Sequence, residues 1–222
     1  MSDQRLLFSK CEDARYISHL DLMRTFQRAF QRAGLAIKHT EGFNPHAFVS
    51  IALPLSVGFS SACEILEFGL LDSTPQESVP KKLNKALPKG IVVHECYDAV
   101  RKVKELCYVN YIVTMEYESG LPVGAETAVR ELIGQDQLVV TKKSKKSKTG
   151  ETKVDLIPLI QRATVESRRD MLALDLVVSA QNPGLNPELI CKAVRERYPE
   201  FTPDFTTFHR KEILDRDGKV FR

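Results

Sequence analysis

The ordering of apolar patterns in this 222-residue chain predicts an α+β fold built as two tandem ferredoxin-like (βαββαβ) domains, residues 1–104 and 105–222. Three observations carry that expectation. Strand-like alternation and helix-like periodicity follow one another as strand, helix, strand, strand, helix, strand through the first half. A similar order returns in the second half without similar residues, the changeover falling near Arg101 to Leu106. And at 43% hydrophobic residues the chain is long and apolar enough to build real cores.

In the first half, Arg5 to Ser9 is expected either as a single strand or as the first arm of a hairpin continued to Ile17 after a turn at Glu12 and Asp13. A helix starts near His19, because Ser18 and Asp21 have the S-x-x-D form of a capping box. Leu22, Met23, Phe26, Phe30 and Ala33 supply its buried stripe, and Gly34 ends it. Ala47 to Pro54 and Ala62 to Leu71 alternate as strands. Thr74, as N-cap with Pro75 at the first position, opens a helix to Leu87 with Val79, Leu83 and Ala86 inward. Pro88 to Gly90 break it, and Ile91 to Cys96 is the closing strand.

In the second half, Tyr108 to Tyr117 is a strong strand with Val109, Tyr111, Val113 and Met115 alternating. Gly124 to Ile133 is helical. Gln137 to Lys142 and Lys153 to Leu159 bracket a lysine-rich hairpin tip, and Met171 to Ser179 is a further strand. Asn186 caps a helix from Pro187 to Tyr198, with Leu189, Ile190, Ala193 and Val194 inward, and Phe205 to Ile213 is the last strand.

The stretch Arg15 to Leu55 holds the candidate site. Arg24, Arg28 and Arg32 step by four along one helix face, the spacing of a cationic rail for phosphates or of a solvated face. Between helix and strand, Lys38, His39, Thr40, Glu41, Gly42, Phe43, Asn44, Pro45 and His46 crowd polar, aromatic and special-backbone residues into one loop. Gly42 permits a positive φ, Pro45 favours an extended Asn44, and Phe43 is either exposed to stack on a base or buried as the plug of a shaped connector. The expected RNA contacts are Arg15, Tyr16, His19, Arg24, Arg28, Lys38, Phe43, Asn44 and His46, with Asp21, Thr40 and Glu41 orienting them. A secondary basic loop comprises Lys142, Lys143, Lys145, Lys146 and Lys148, either solubilising or an arm for RNA backbone.

The segment FSKCEDARYISHLDLMRTFQRAFQRAGLAIKHTEGFNPHAFVSIALPLSVGFSS resembles the opening of the radical-SAM-linked family of uncharacterised bacterial proteins, found alone or attached to the C-terminal end of radical SAM proteins. RYISHLDLMR, the segment ending RAGL and GFNPH occur together and in order, with VDLIPLI at Asp155 as a weaker landmark. The resemblance implies a radical SAM protein as partner in trans and no established activity. The paired halves are also similar in architecture to repeat-processing endoribonucleases of the RAMP superfamily. Those enzymes carry a late glycine-rich loop, whereas residues 199–222 contain only Gly218.

Composition narrows the function classes. The net charge of +3 and pI near 8.5 permit a nucleic-acid partner without demanding one. Residues 1–104 hold 14 Lys and Arg against 11 Asp and Glu, and the remainder 18 against 18, so the excess sits with the helix and loop. Five widely spaced cysteines fit reduced thiols and offer no C-x3-C-x2-C run for an iron–sulfur cluster. No nucleotide-fold or common hydrolase signature occurs, and the spacing of His19, His39 and His46 matches no familiar metal pattern. No cofactor and no metal are expected. No apolar run reaches a membrane span, so a cytoplasmic protein is expected.

The expected function is that of an RNA-binding accessory protein presenting structured RNA, such as transfer or ribosomal RNA, to a radical SAM-type modifying enzyme. Two alternatives stay open: a metal-independent endoribonuclease or RNA-modifying enzyme using His19, with Lys38 and Tyr16 assisting, and a protein–protein adaptor without RNA contact.

Overall fold

The computed structural model describes residues 4–143 and 150–222. The fold is mixed α+β and divides into two compact units. The first runs to Leu106 and includes Arg210–Glu212 and Val220–Arg222; the second is Cys107–His209 with Ile213–Lys219. The last strand thus contributes residues to both units, which a simple cut at residue 104 does not anticipate.

The first unit is built from β1 (Gln4–Lys10), α1 (His19–Arg32), β2 (Ser50–Ile51), β3 (Ser60–Phe68), α2 (Ser78–Asn84) and β4 (Ile91–Asp98). Its strands lie in the order β4-β1-β3-β2, all neighbours antiparallel. Strand alternation puts Leu6 and Phe8 opposite Leu66 and Glu64 on one face. The core forms as Leu22, Phe26, Ala29 and Phe30 of α1 join that face with Val79 and Leu83 of α2. Phe26 meets Phe8 edge-on at 4.8 Å between centroids, and Phe30 meets Phe68 at 4.9 Å. Each such ring contributes roughly 1.5–3 kcal/mol by leaving water.

Three expected elements of this unit are corrected. The hairpin continuation to Ile17 is instead a 3-10 turn, Glu12–Tyr16. Glu12 has a left-handed φ of 49°, the Cys11 amide donates to the Gly90 carbonyl at 2.8 Å, and the chain turns away before a ladder can form. Gly90 is required here: a Cβ would stand 2.5 Å from the Cys11 carbonyl oxygen. The strand expected over Ala47 to Pro54 shrinks to Ser50–Ile51, because its amides divide between partners, Phe48 donating to Lys38 and Ala52 to Ile65. The second helix begins at Ser78, because the preceding residues make i→i+3 turns, Ser78 donating to the Pro75 carbonyl at 2.9 Å and Val79 to that of Gln76 at 3.1 Å.

The second unit comprises β5 (Leu106–Glu116), α3 (Ala125–Ile133), β6 (Val139–Lys143), β7 (Glu151–Asp155), β8 (Ile160–Arg168), β9 (Met171–Ser179), α4 (Glu188–Arg197) and β10 (Phe205–Asp215). Its strand order is β10-β5-β9-β8, with β6 and β7 forming a separate two-stranded sheet. Strands β6 and β7 thus stand apart from the main sheet, and β8, absent from the sequence expectation, takes the place beside β9. Its segment IQRATVESR buries only Val165, which leaves almost no alternation to detect. Leu172, Leu174, Leu176 and Val178 of β9 with Val129, Leu132, Ile190 and Val194 of the helices supply the core. Tyr117 closes one end by donating its hydroxyl to the Phe201 carbonyl at 2.9 Å.

All five cysteines are free thiols. Burial pushes the thiols of Cys63, Cys96 and Cys191, and the phenols of Tyr97 and Tyr117, up to about 12. These acids ionise in the unfolded chain near 9 and 10 and stay protonated in the native one. The native state therefore binds more protons over this interval, and stability present below pH 9 falls as pH rises towards 12. Urea unfolding at pH 8 and at pH 10.5 should show a lower midpoint at the higher pH, despite the opposite contribution of buried Lys10, whose pKa burial lowers from 10.5.

Candidate functional site

The site begins at the head of α1. Ser18 is the N-cap: its hydroxyl oxygen accepts the Asp21 amide at 3.2 Å and its O–H donates to Asp21 Oδ2 at 2.7 Å. The second bond of the expected capping box thus runs to the hydroxyl. That hydroxyl, and then Arg24 at 3.2 Å, hold the Asp21 carboxyl below its ordinary range. Asp21 and Arg24 thus form an ion pair on the exposed face of the helix head. Just before the helix, Arg15 lies 5.6 Å over the ring of Tyr16, which is 64% exposed. His19 is half-buried, with Nδ1 enclosed and lacking a protein partner.

This head is fixed from beneath by groups that sequence reasoning missed. Lys10, Glu64 and Arg210 are each at most 2% exposed. Arg210 donates to Glu64 Oε1 at 2.8 Å, to the Leu53 carbonyl at 2.8 Å and to the Pro54 carbonyl at 3.1 Å. Lys10 Nζ donates to the Arg15 carbonyl at 2.9 Å, which also accepts the Gly58 amide at 2.9 Å. Buried charges persist only when paired and hydrogen-bonded, so these contacts fix both the 53–58 loop and the Arg15–Tyr16 corner. Burial, opposed by Glu64 and assisted by Arg210, lowers the Lys10 pKa. The detectable signal is a carboxylate, Glu64, standing between Cys63 and Ile65 in the apolar segment CEILEF, and an arginine in the middle of the last strand.

The loop after α1 is an ordered hairpin. Lys38 donates its amide to Gly69 at 2.8 Å, Phe48 to Lys38 at 2.8 Å, and Thr40 to the His46 carbonyl at 2.8 Å, while His39 bridges Ala47. Gln27 ties it to α1 by donating to the Ala47 carbonyl at 2.9 Å. At the tip Gly42 takes a φ of 129°, and Phe43 stands fully exposed at 106%. Glu41 and Asn44 are exposed beside it. His46 Nδ1 lies 3.2 Å from the Asn44 carbonyl and 3.1 Å from Thr40 Oγ1. The Asn44 carbonyl only accepts, whereas Thr40 Oγ1 can donate or accept, so Nδ1 finds a partner in either tautomer and Nε2 is left for a ligand.

The hairpin and the second half of α1 enclose a cleft of about 510 Å³, bordered by Arg28, Gln31, His39 and His46 over Leu35 and Ile37. The expected site residues thus fall into two groups within the first unit: Arg15, Tyr16, His19, Asp21 and Arg24 at the helix head, and Arg28 with Thr40 and His46 at the hairpin. Lys38 is half-buried at the hairpin base. Arg32 leaves the expected rail, because its guanidinium donates to the Ala86 carbonyl at 2.7 Å. Lys142 and Lys143 lie on β6, whereas Lys145, Lys146 and Lys148 lie outside the described residues. Among the described residues no three His, Cys, Asp or Glu side chains gather as a metal would require, and no helix is long and apolar enough to cross a membrane.

Residues 4–187 match a family described as uncharacterized proteins conserved in bacteria (DUF2344). The chain belongs to this family. No curated protein matches it. As a fold, this family member is similar to a chain in the crystal structure of a Cbf5-Nop10-Gar1 complex, at 10% identity and a TM-score of 0.53, over 96% of its own length and 49% of that chain. It therefore spans about half of that protein. A crystal structure of an unknown protein from Galdieria sulphuraria aligns at 10% identity with a TM-score of 0.28, over 94% and 98% of the two chains. At such identity the first likeness concerns the fold alone.

The buried pair gives a direct test of the scaffold. Glu64→Leu, which strands the Arg210 guanidinium, should cost about 3–5 kcal/mol in urea unfolding. The Glu64→Leu/Arg210→Met double variant should recover part of that loss, with a coupling above about 0.5 kcal/mol.

Proposed function

We propose that this family member is an RNA-binding accessory protein that holds structured RNA for a separate modifying enzyme. The observation that supports it most is the pair of aromatic rings, Phe43 and Tyr16, kept on the surface by an ordered, hydrogen-bonded scaffold and accompanied by arginines. Exposed rings on rigid supports serve as stacking platforms for unpaired bases, and forked guanidinium donors suit phosphates. On this reading Arg15, Arg24 and Arg28 hold backbone, Phe43 and Tyr16 stack, and His19, Asn44 and His46 hydrogen-bond the RNA. Lys38 and the lysines from Lys142 to Lys148 add sequence-independent attraction.

Two finer assignments belong to the same proposal. The order β4-β1-β3-β2 in one unit and β10-β5-β9-β8 in the other is the order of a ferredoxin-like βαββαβ unit, and we assign both units to that fold. The enzyme is a radical SAM protein acting in trans in the cytoplasm, a partner drawn from the sequence resemblance of RYISHLDLMR and GFNPH. In this proposal the chain binds and positions RNA, and the chemistry belongs to the partner enzyme.

Arg24→Glu/Arg28→Glu should weaken binding of a transfer RNA pool at least tenfold and reduce the slope of log affinity against log salt by about 0.7–0.9 for each phosphate no longer neutralised. Phe43→Ala should cost about 1–3 kcal/mol of affinity with little change in that slope. Fluorescence titration at several salt concentrations reads both. Affinity and slope unchanged in the doubly reversed protein would remove the RNA proposal and leave an adaptor.

A further inference from the structure

We infer that the cleft between α1 and the hairpin is a pocket for one unpaired nucleotide, its base laid on the apolar floor and its phosphate on Arg28; this rests on the RNA-binding reading of the same face. The cleft has the volume of a small-ligand pocket, about 510 Å³. Leu35 and Ile37 form a buried floor, and Leu71, 62% exposed, forms an apolar wall. None of the residues lining it is an Asp or Glu. Its rim carries a guanidinium and two imidazoles instead, which selects an anion that also has a flat, apolar body.

The polar groups divide the work between the two ends of such a ligand. Arg28 stands one turn beyond Arg24, which is drawn to Asp21, and offers its fork to a phosphate. His46 is oriented through Nδ1 by Thr40 and by the Asn44 carbonyl, which leaves Nε2 for the ligand. Nε2 meets a base edge in either tautomer, accepting an amine or imino N–H in one and donating to a ring nitrogen or carbonyl oxygen in the other. Gln31 supplies one donor and one acceptor, which tolerates several bases. Gln27 is spent on the Ala47 carbonyl at 2.9 Å and keeps the hairpin wall at a fixed distance from the helix. The pocket is therefore selective for a nucleotide over a bare phosphate and only weakly selective among bases.

The experiment titrates the full chain with adenosine 5′-monophosphate, adenosine, ribose 5-phosphate and a short single-stranded oligonucleotide, following histidine ring resonances by NMR. The His39 and His46 signals should move with adenosine 5′-monophosphate, with half-saturation at or below about 1 mM, while His94 stays still. Adenosine and ribose 5-phosphate should each bind about tenfold more weakly or worse. Arg28→Ala should erase the difference between the nucleotide and the nucleoside, and His46→Ala should weaken both. Both residues are exposed, so neither change should disturb the core. Equal binding of ribose 5-phosphate and the nucleotide would overturn the inference in favour of a phosphate site. Oligonucleotide binding that leaves His39 and His46 unmoved would overturn it while keeping the RNA reading. No binding of either ligand would overturn both.

Discussion

A guanidinium with 2% exposure sets the terms for the first unit. Arg210 cannot be buried alone, and its donors go to Glu64 and to the carbonyls of Leu53 and Pro54. Lys10, equally buried, goes to the Arg15 carbonyl. The carbonyl acceptors belong to irregular segments that have no ladder of their own. The buried cations thus take the role that strand pairing plays elsewhere, and the corner carrying Arg15 and Tyr16 becomes as well defined as the sheet below it. A ring as exposed as Tyr16 is useful for recognition only if the backbone under it is fixed, since ordering on binding subtracts from affinity.

Charge-pairing in the interior also explains what was legible in the amino-acid sequence and what was not. The α+β class and most core elements could be read because Phe26, Phe30, Leu66 and Phe68 obey simple periods. The start of α1 could be read because Ser18 and Asp21 sit at cap spacing. The 3-10 turn could not, because it depends on a left-handed Glu12 and on the close approach of Gly90, neither visible in a pattern of polar and apolar residues. Strand β8 escaped because an edge with one buried residue carries no alternation. Lys10, Glu64 and Arg210 were passed over because charged residues are read as surface, and the Glu64–Arg210 pair joins positions 146 residues apart.

The candidate site shows the same division. Phe43 reads from sequence as either a buried plug or an exposed ring, and the hairpin hydrogen bonds settle it by leaving the tip outside the core. Arg32 reads as part of a cationic rail until the Ala86 carbonyl claims it. Family membership and the fold likeness to a chain of the Cbf5-Nop10-Gar1 complex leave the function to be argued from these particular residues, because a shared fold hosts many activities.

The most direct measurement is crosslinking of the protein to RNA in its own cells, with sequencing of the bound fragments and mass spectrometry of the crosslinked peptides. The account predicts a defined set of structured RNA sites, with crosslinks on the peptides that contain Tyr16 and Phe43. Fragments no more abundant than those recovered with the Arg24→Glu/Arg28→Glu protein, or crosslinks confined to other peptides, would contradict it.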